Sequence, residues 1–260
     1  MKKDFSVGFI GGGRITQIFL AALKRKDKWP SRVAVTDRNP AVLDRIASQF
    51  PRVACLPDKN REAAASDLVF LALHPTAIGH VLAEIRGGLS PQCLFISLAP
   101  KVTIDSLSAG LGGFDRIVRM IPNAPSIINR GYNPLAFSSS FEKDERKDVA
   151  KFLKVFGDCP EVEEDKLEAY AILTAMGPTY FFFQLHELQK LGISFGLTEK
   201  EARKGLSKMM KGTLKTLFEG GLSYSEVTDL IPVKPIGDEE GRLRDLYREK
   251  LEGLYRNLKG

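Results

Sequence analysis

Short apolar segments alternate with amphipathic ones along the first half of the chain. Each apolar segment is rich in Val, Ile, Leu and Phe and is bounded by Gly, Pro, Asn or Asp, as buried parallel strands are. These segments occupy residues 5–10, 32–35, 67–73, 93–98 and 116–121. Helical periodicity fills the intervals at 14–26, 40–49, 76–86 and 103–110. The alternation predicts an α/β domain, a doubly wound parallel sheet with helices on both faces.

The pattern changes near residue 157, where a helix ends at Gly157 and the following residues are almost wholly helical in period. We therefore predict two domains, the α/β domain at 1–158 and an all-helical domain at 159–260. Long helices are expected at 163–192, 198–219 and 241–258, and Thr198 and Glu201 form a capping box at the start of the second. So few helices cannot bury all their apolar side chains, so we expect this domain to pack against a second chain.

Composition narrows the function only slightly. The 38 basic and 32 acidic residues are interspersed and leave a net charge of +6, which gives little reason to expect nucleic acid as a partner. Cys55, Cys93 and Cys159 are odd in number and far apart, so neither a disulfide framework nor a metal site is expected. No apolar run approaches the length of a membrane span and the first residues lead directly into a strand. We expect a cytoplasmic protein that does not bind membranes.

The stretch "VGFIGGGRIT" places three glycines between a predicted strand and a predicted helix. It matches the Rossmann fingerprint, with Thr16 in place of the third glycine. Such a turn lets the backbone approach a pyrophosphate, and the amides of Gly12, Gly13, Arg14 and Ile15 would then point at its charge. The alternative is a tight turn that only packs helix on strand. In the first interpretation the α/β domain is a dinucleotide-binding Rossmann domain.

Other candidate residues follow the ends of predicted strands, where ligands of open α/β sheets bind. Asp37 would accept a hydrogen bond from an adenosine ribose and favour NAD, whereas Arg38 would pair with the 2′-phosphate of NADP. The sequence does not decide between NADP and NAD. His74 is either a contact to the nicotinamide or ribose or an ordinary surface histidine. Asn123, in a loop stiffened by prolines, suits a wall of the cofactor cleft or a rigid turn.

Taken in order, several segments resemble the pyrroline-5-carboxylate reductase family. The segments are "VGFIGGG", "KNRE", "FLALHP", "ISLAPKVTI", "VRMIPNAPSIINRG", "CPEVEEDKLEAYAILTAMGPTYFF" and "GISFGLTEKEA". The resemblance implies a Rossmann domain followed by a helical domain that dimerises by interleaving its helices. It also implies an oxidoreductase of proline biosynthesis that transfers hydride from NADPH or NADH to a ring imine carbon.

The resemblance also implies site residues. Those expected around the dinucleotide, together with the glycine turn at Gly11, Gly12 and Gly13, are Asn60, Leu73, His74, Pro75, Ala99 and Asn123. The segment 176–180 would open the helix that lines the substrate cleft. An imine must be protonated to accept hydride, and the candidate donors on that helix are Thr179, Tyr180 and His186. His186 is the one that titrates near neutrality, and the alternative for all three is packing in a helical core.

The chain departs from the family at several of these positions. Arg14 stands where the family tends to have Asn, His74 where it has Lys, and His186 where it has an acid. The family loop that holds the substrate carboxylate through backbone amides and a threonine falls on "PVKPIGDEE", in which Pro235 has no N–H to donate. Asp238 and Glu239 would suit a cationic partner or simply begin the last helix.

Three hypotheses remain from the sequence. The favoured one is an NAD(P)H-dependent reductase of a small C=N substrate that forms a homodimer or higher oligomer. The second is an oxidoreductase of the same two-domain plan with a different substrate. The third is a non-catalytic dinucleotide-binding protein.

Overall fold

The computed structural model describes residues 4–259. Within them the strands are Ser6–Ile10 (β1), Arg32–Asp37 (β2), Val53–Pro57 (β3), Leu68–Leu71 (β4), Leu94–Ser97 (β5), Ile117–Met120 (β6), Gly131–Tyr132 (β7), Leu135–Phe137 (β8) and Gly157–Asp158 (β9). The α-helices of the first half are Arg14–Lys26 (α1), Pro40–Gln49 (α2), Asn60–Ala64 (α3), Pro75–Ile85 (α4), Ile104–Gly110 (α5) and Lys143–Leu153 (α6). Those of the second half are Leu167–Tyr170 (α7), Gly177–Ser194 (α8), Glu199–Glu219 (α9), Tyr224–Asp229 (α10) and Glu240–Lys259 (α11).

The main sheet has seven strands in the order β3, β2, β1, β4, β5, β6, β8. The first six strands in this order are parallel, and β8 is antiparallel to β6. The predicted doubly wound α/β fold is therefore confirmed. The order reverses between β1 and β4, and this is the point at which open parallel sheets form a crevice for ligands.

The sheet core explains why the strands could be found from sequence. Strands β4, β5 and β6 are buried on both faces, so they appear as continuous apolar runs. The strand β3 escaped prediction because it carries a cysteine and a proline and only Val53 is buried. The three-residue strand β8 is too short to show a pattern.

Aromatic packing holds α1 on the sheet. The ring of Phe19 stacks on Phe156 with centroids 3.9 Å apart, and Phe70 packs against Phe9 at 4.8 Å. Phe19 and Phe70 are fully buried and also meet edge to face. The contacts fix the start of α1 beside the carboxyl end of β1, which is where the glycine turn lies.

The chain divides into two compact units, one that runs to Met176 and includes the chain end from Tyr255, and one formed by Gly177–Leu254. The sequence places the domain boundary earlier, at 158/159. Residues after it stay with the first unit because β8 binds them: the amide of Leu135 donates to the Pro160 carbonyl at 3.0 Å, and the amide of Val162 donates to the Leu135 carbonyl at 2.9 Å.

A buried ion network anchors the same stretch to the sheet. The guanidinium of Arg119, on β6, binds a carboxylate oxygen of Glu164 at 2.9 Å and one of Glu168 at 2.6 Å. The side chains of Arg119 and Glu168 are only 2% and 7% exposed. Glu168 also accepts from the amide of Lys101 at 3.2 Å, and Glu164 from the amide of Ile104 at 2.7 Å. One arginine thus joins three segments of the first unit.

The prediction of a single helix over 163–192 is wrong. The structure has a 3₁₀ turn at Glu164–Lys166, the short α7, a π-helical turn at Ala171–Ala175, and then α8. Pro178 is the reason for the new start, because it has no N–H for the carbonyl one turn earlier and fits only the first turn of a helix.

The second unit consists of α8, α9, α10 and most of α11. The predicted capping box is present: the Thr198 hydroxyl accepts from the amide of Glu201 at 3.2 Å, and the Glu201 carboxylate accepts from the amide of Thr198 at 2.9 Å. Large apolar side chains on these helices are exposed, including Phe183 at 67% and Phe218 at 76%. No helix within residues 4–259 is long and apolar enough to span a bilayer.

Candidate functional site

The glycine turn connects β1 to α1 at the point where the strand order reverses. Gly11 has φ +101°, and a Cβ on it would stand 2.5 Å from the Ala72 carbonyl oxygen, so the turn admits no side chain here. Gly13 differs, because its φ is −63° and a Cβ would meet nothing within 4 Å. The space in front of the α1 N-terminus is therefore open.

Thr16 closes the turn from inside the first helical turn. Its side chain is fully buried, and its hydroxyl donates to the Gly11 carbonyl at 2.6 Å. A threonine at the third fingerprint position thus replaces a close helix contact with a hydrogen bond. The bond satisfies a buried carbonyl and holds Gly11 in its left-handed conformation.

Asp37 lies at the end of β2 and binds the turn directly. One carboxylate oxygen accepts from the amide of Gly12 at 2.8 Å, and the other accepts from the amide of Asn39 at 2.8 Å. The Gly12 amide, which we expected to point at a pyrophosphate, donates to Asp37 in this structure. The amides of Arg14 and Ile15 lie in the first helical turn, where no intrahelical acceptor exists, and are the donors that face the open space.

A cleft of about 630 Å³ adjoins the turn within the first unit. It brings together five of the predicted cofactor residues, which are Gly11, Asp37, Arg38, Asn60 and Leu73. It also contains residues that the sequence did not suggest: Thr36, Asp58, Thr76, Ala77, His80, Val81 and Glu84. The helical spacing of Thr76, His80 and Glu84 on α4 could have revealed them, because the first turns of that helix follow β4 at the same sheet edge.

Asn60 supports the floor of this cleft instead of projecting freely into it. Its side chain is 8% exposed and donates from Nδ2 to the Glu84 carboxylate at 2.7 Å. The neighbouring Arg61 donates from Nε to the Glu84 carbonyl at 2.8 Å. These bonds join α3 to α4 and fix the orientation of Glu84.

The remaining predicted cofactor residues are not among the cleft lining. His74 is exposed at the start of α4, and its Nδ1 lies 3.0 Å from the Thr76 hydroxyl. Asn123 is buried and uses its side chain within the protein, donating to the Thr174 carbonyl at 3.2 Å and accepting from the amide of Tyr132 at 3.2 Å. Gly12, Pro75 and Ala99 shape the backbone around the sheet edge, with Ala99 2% exposed.

The second unit has its own groove, of about 510 Å³, between α8 and α9. It contains His186 together with Phe182, Leu185, Gln189, Arg203, Leu206, Ser207, Met210 and Lys211. His186 and Thr179 are both exposed on α8. Burial and the nearby Tyr247, whose ring centroid is 5.9 Å away, raise the pKa of Tyr180, so this phenol keeps its proton at neutral pH.

Residues 231–241 comprise most of the connection between α10 and α11 and the first two residues of α11. The acids begin the last helix, because Gly237–Glu239 form a 3₁₀ turn directly before α11 and the carboxylate of Glu240 lies 3.2 Å from Arg244. Ahead of them the loop is apolar and open, with Ile231 and Val233 exposed by 67% and 73%. Among residues 4–259 no group of three or more His, Cys, Asp or Glu is arranged to hold a metal ion.

Comparison with known proteins matches both parts of the chain. Residues 6–101 match a family model described as NADP oxidoreductase coenzyme F420-dependent, and residues 164–251 match one described as pyrroline-5-carboxylate reductase dimerisation. The chain is 26% identical over 257 residues to the pyrroline-5-carboxylate reductase of Corynebacterium melassecola, covering 96% of this chain and 93% of that one. It is 24% identical over 226 residues to the Escherichia coli K12 enzyme, covering 86% and 84%.

Solved structures of pyrroline-5-carboxylate reductases also resemble this chain. A pyrroline-5-carboxylate reductase from Coxiella burnetii superimposes with a TM-score of 0.75 and 28% identity, covering 99% of this chain and 98% of that one. The Plasmodium falciparum pyrroline carboxylate reductase with NADP bound reaches a TM-score of 0.83 at 18% identity, covering 100% and 98%, which is a likeness of fold.

The strand order, the glycine turn at its switch point and the helical second unit together define a two-domain NAD(P)-dependent oxidoreductase. The matches narrow this class. The part of the chain from residue 164 to 251 matches the pyrroline-5-carboxylate reductase dimerisation model, and the relatives that are similar over both parts carry the name pyrroline-5-carboxylate reductase.

Proposed function

We propose that this chain is an NAD(P)H-dependent reductase that transfers hydride to the C=N carbon of pyrroline-5-carboxylate. The observation that carries the proposal is that a Rossmann glycine turn and a reductase dimerisation domain occur in one chain in the family's order. The relatives that match over both parts are named pyrroline-5-carboxylate reductases. No feature of the cleft favours a different oxidoreductase or a non-catalytic role.

The residues at the turn fit a dinucleotide. Open space at Gly13 lies directly before the α1 N-terminus, and the first amides of a helix are donors without intrahelical acceptors. Arg14 adds a positive charge beside them, and Gly11, Asp37 and Asn60 form the adjoining cleft. When bound, the nicotinamide supplies the hydride. The chain's part is to hold the pyrophosphate at the turn and the adenosine side in the cleft.

The imine nitrogen needs a proton before its carbon can accept hydride. We assign Thr179 and His186 on α8 as the candidate donors, and His186 is among the side chains of the groove between α8 and α9. A donor role for His186 predicts that His186→Gln lowers kcat and changes its dependence on pH, because the glutamine amide cannot give up a proton to the imine. A packing role predicts the same profile with reduced stability.

Dimerisation explains the exposed apolar faces of the second unit. Large side chains such as Phe182 and Leu188, exposed by 57% and 46%, would be buried by a second copy of the same helices. The dimerisation family model begins at residue 164, which supports a functional boundary near 158 even though the compact unit continues to Met176. Leu188→Glu places a charge on this face and is expected to lower the mass seen by light scattering, whereas Glu187→Lys on the same helix should not.

The direct test measures loss of nicotinamide absorbance when purified protein is mixed with pyrroline-5-carboxylate and either NADH or NADPH. Turnover with at least one cofactor is expected. Gly13→Val is the matched variant, because a Cβ at this position has no protein atom within 4 Å and the side chain would take up space in front of the α1 N-terminus. It should abolish turnover and dinucleotide binding while the circular dichroism spectrum stays unchanged. No turnover by the unaltered protein with either cofactor would overturn the proposal.

A further inference from the structure

We propose that the cleft beside the glycine turn selects a dinucleotide without a 2′-phosphate, NADH over NADPH, and that Asp37 makes the selection. The inference rests on the proposed function, because it concerns the cofactor of the same site. It goes further in naming one cofactor and the residue that distinguishes it.

Asp37 is held in a fixed orientation at the end of β2. Both of its carboxylate oxygens are engaged by backbone donors, the amides of Gly12 and Asn39, each at 2.8 Å. Donors to both oxygens restrict rotation of the side chain. Each oxygen keeps a second lone pair, which is free to accept from a hydroxyl.

The same carboxylate lines the cleft that adjoins Gly11. A dinucleotide whose pyrophosphate lies at the turn places its adenosine ribose at the end of β2. Asp37 therefore meets the ribose 2′ position. A 2′-hydroxyl donates to the carboxylate, whereas a 2′-phosphate presents like charge to it and has no proton to share at neutral pH.

Two further acids line the cleft. Asp58 follows β3, and its amide donates to the Asp37 carbonyl at 3.2 Å, which places the two residues side by side. Glu84 is fixed on the α4 side by Asn60 at 2.7 Å. The lining thus holds three carboxylates and a single guanidinium, that of Arg38. The negative potential of these carboxylates opposes binding of NADPH, which carries a third phosphate.

Arg38 is the residue in the cleft that would favour NADPH. It is exposed on the cleft, and an arginine after β2 pairs well with a 2′-phosphate. Next to Asp37, however, its attraction for a phosphate is offset by repulsion from the neighbouring carboxylate. Its planar guanidinium can instead stack on the adenine ring, which both dinucleotides share. Removing Asp37 would leave Arg38 unopposed and reverse the preference.

The test measures dissociation constants for NADH and NADPH by nicotinamide fluorescence with the full-length protein. The readout is the ratio of the two constants, because loss of the bond to Gly12 would weaken both dinucleotides alike. The unaltered protein should bind NADH at least about tenfold more tightly, and Asp37→Ser should shift the ratio toward NADPH by at least about tenfold. Asp37→Asn keeps the shape and removes the charge, and it should shift the ratio in the same direction.

Asp44→Asn is the matched control, since it removes one negative charge from an exposed position on α2 outside the cleft lining. It should leave the ratio unchanged. Equal or tighter binding of NADPH by the unaltered protein would overturn the inference and leave the proposed reductase standing. An unchanged ratio in both Asp37 variants, or an equal shift in Asp44→Asn, would also overturn it. Binding of neither dinucleotide would overturn the proposed function and this inference together.

Discussion

The buried arginine network makes a quantitative prediction about stability. Replacing Arg119 by Met removes the guanidinium but keeps most of the side-chain volume. It leaves the carboxylate of Glu168, only 7% exposed, with the Lys101 amide as its remaining partner among residues 4–259. Glu164 is 31% exposed and can regain water. Removing one partner of a buried ion pair destabilises a protein by about 3 to 5 kcal/mol. Most of that loss should come from Glu168.

The assay is urea unfolding followed by the fluorescence of Trp29, the single tryptophan, which belongs to the first unit and packs near Phe50. The expected loss for Arg119→Met is about 3 to 5 kcal/mol. Glu145→Gln is the control, because its partner pair with Arg116 is partly exposed, and glutamine can still serve its capping box. It should change stability by less than about 1 kcal/mol.

A double variant separates charge from packing. If the loss arises from an unpaired buried carboxylate, adding Glu168→Gln to Arg119→Met should recover most of it, since glutamine is neutral and still accepts from Lys101. If the loss arises from packing, the second change should add to the first. A loss below about 1 kcal/mol in Arg119→Met would refute the reasoning, because the pair would then behave as a surface ion pair.

Three further predictions concern the turn and the thiols. Thr16→Val removes the hydroxyl that donates to Gly11 and should lower the free energy of unfolding by about 1 to 3 kcal/mol, while Thr16→Ser keeps the bond and should lose less; equal losses would contradict this role. Gly11→Ala should destabilise the first unit, because φ is +101° and the Ala72 carbonyl is 2.5 Å from the new Cβ, whereas Gly13→Ala should not; thermal melts compare them. Burial raises the pKa of Cys93 and of Cys159 to about 12, so at pH 8 both should be alkylated about a thousandfold more slowly in the native protein than in urea, with rates rising as pH rises. Cys55, whose pKa burial also raises, is half-buried whereas Cys93 is buried, so Cys55 should react before Cys93, as mass spectrometry of the labelled peptides would show.

The sheet was largely predictable, because a strand that is buried on both faces consists almost wholly of apolar residues. Strands β4, β5 and β6 appear as unbroken apolar runs bounded by turn residues. The break in the helix after 163 was less visible, since a π-helical turn has no distinct composition. Gly177 and Pro178 did indicate the start of a new helix, but the apolar periodicity continues across them and made 163–192 look like one helix.

The cofactor site was predictable in its backbone and less so in its side chains. A glycine turn after a strand is a local pattern, and the structure has it where the sequence indicates. Which residues share the cleft depends on how α4 lies against the sheet, so His80 and Glu84 were not foreseen. Asn123 shows the converse case, because a polar residue at a strand end can use its side chain for hydrogen bonds within the protein, here with Thr174 and Tyr132.

The loop at 231–241 sets the remaining question about the substrate. Its amide donors are few, since Pro232 and Pro235 have none and the amide of Gly237 donates to the Lys234 carbonyl at 3.0 Å. A carboxylate held there would lack the nest of free N–H groups that anions need. If this loop meets the substrate, kcat/KM for pyrroline-5-carboxylate and for 1-pyrroline, the same ring without the carboxylate, should differ by less than about tenfold, since a charge-assisted hydrogen bond is worth about 1.5 to 3 kcal/mol. A much larger preference for the carboxylate would mean that other residues bind it, and Arg203 or Lys211 in the α8 and α9 groove would be the first to replace.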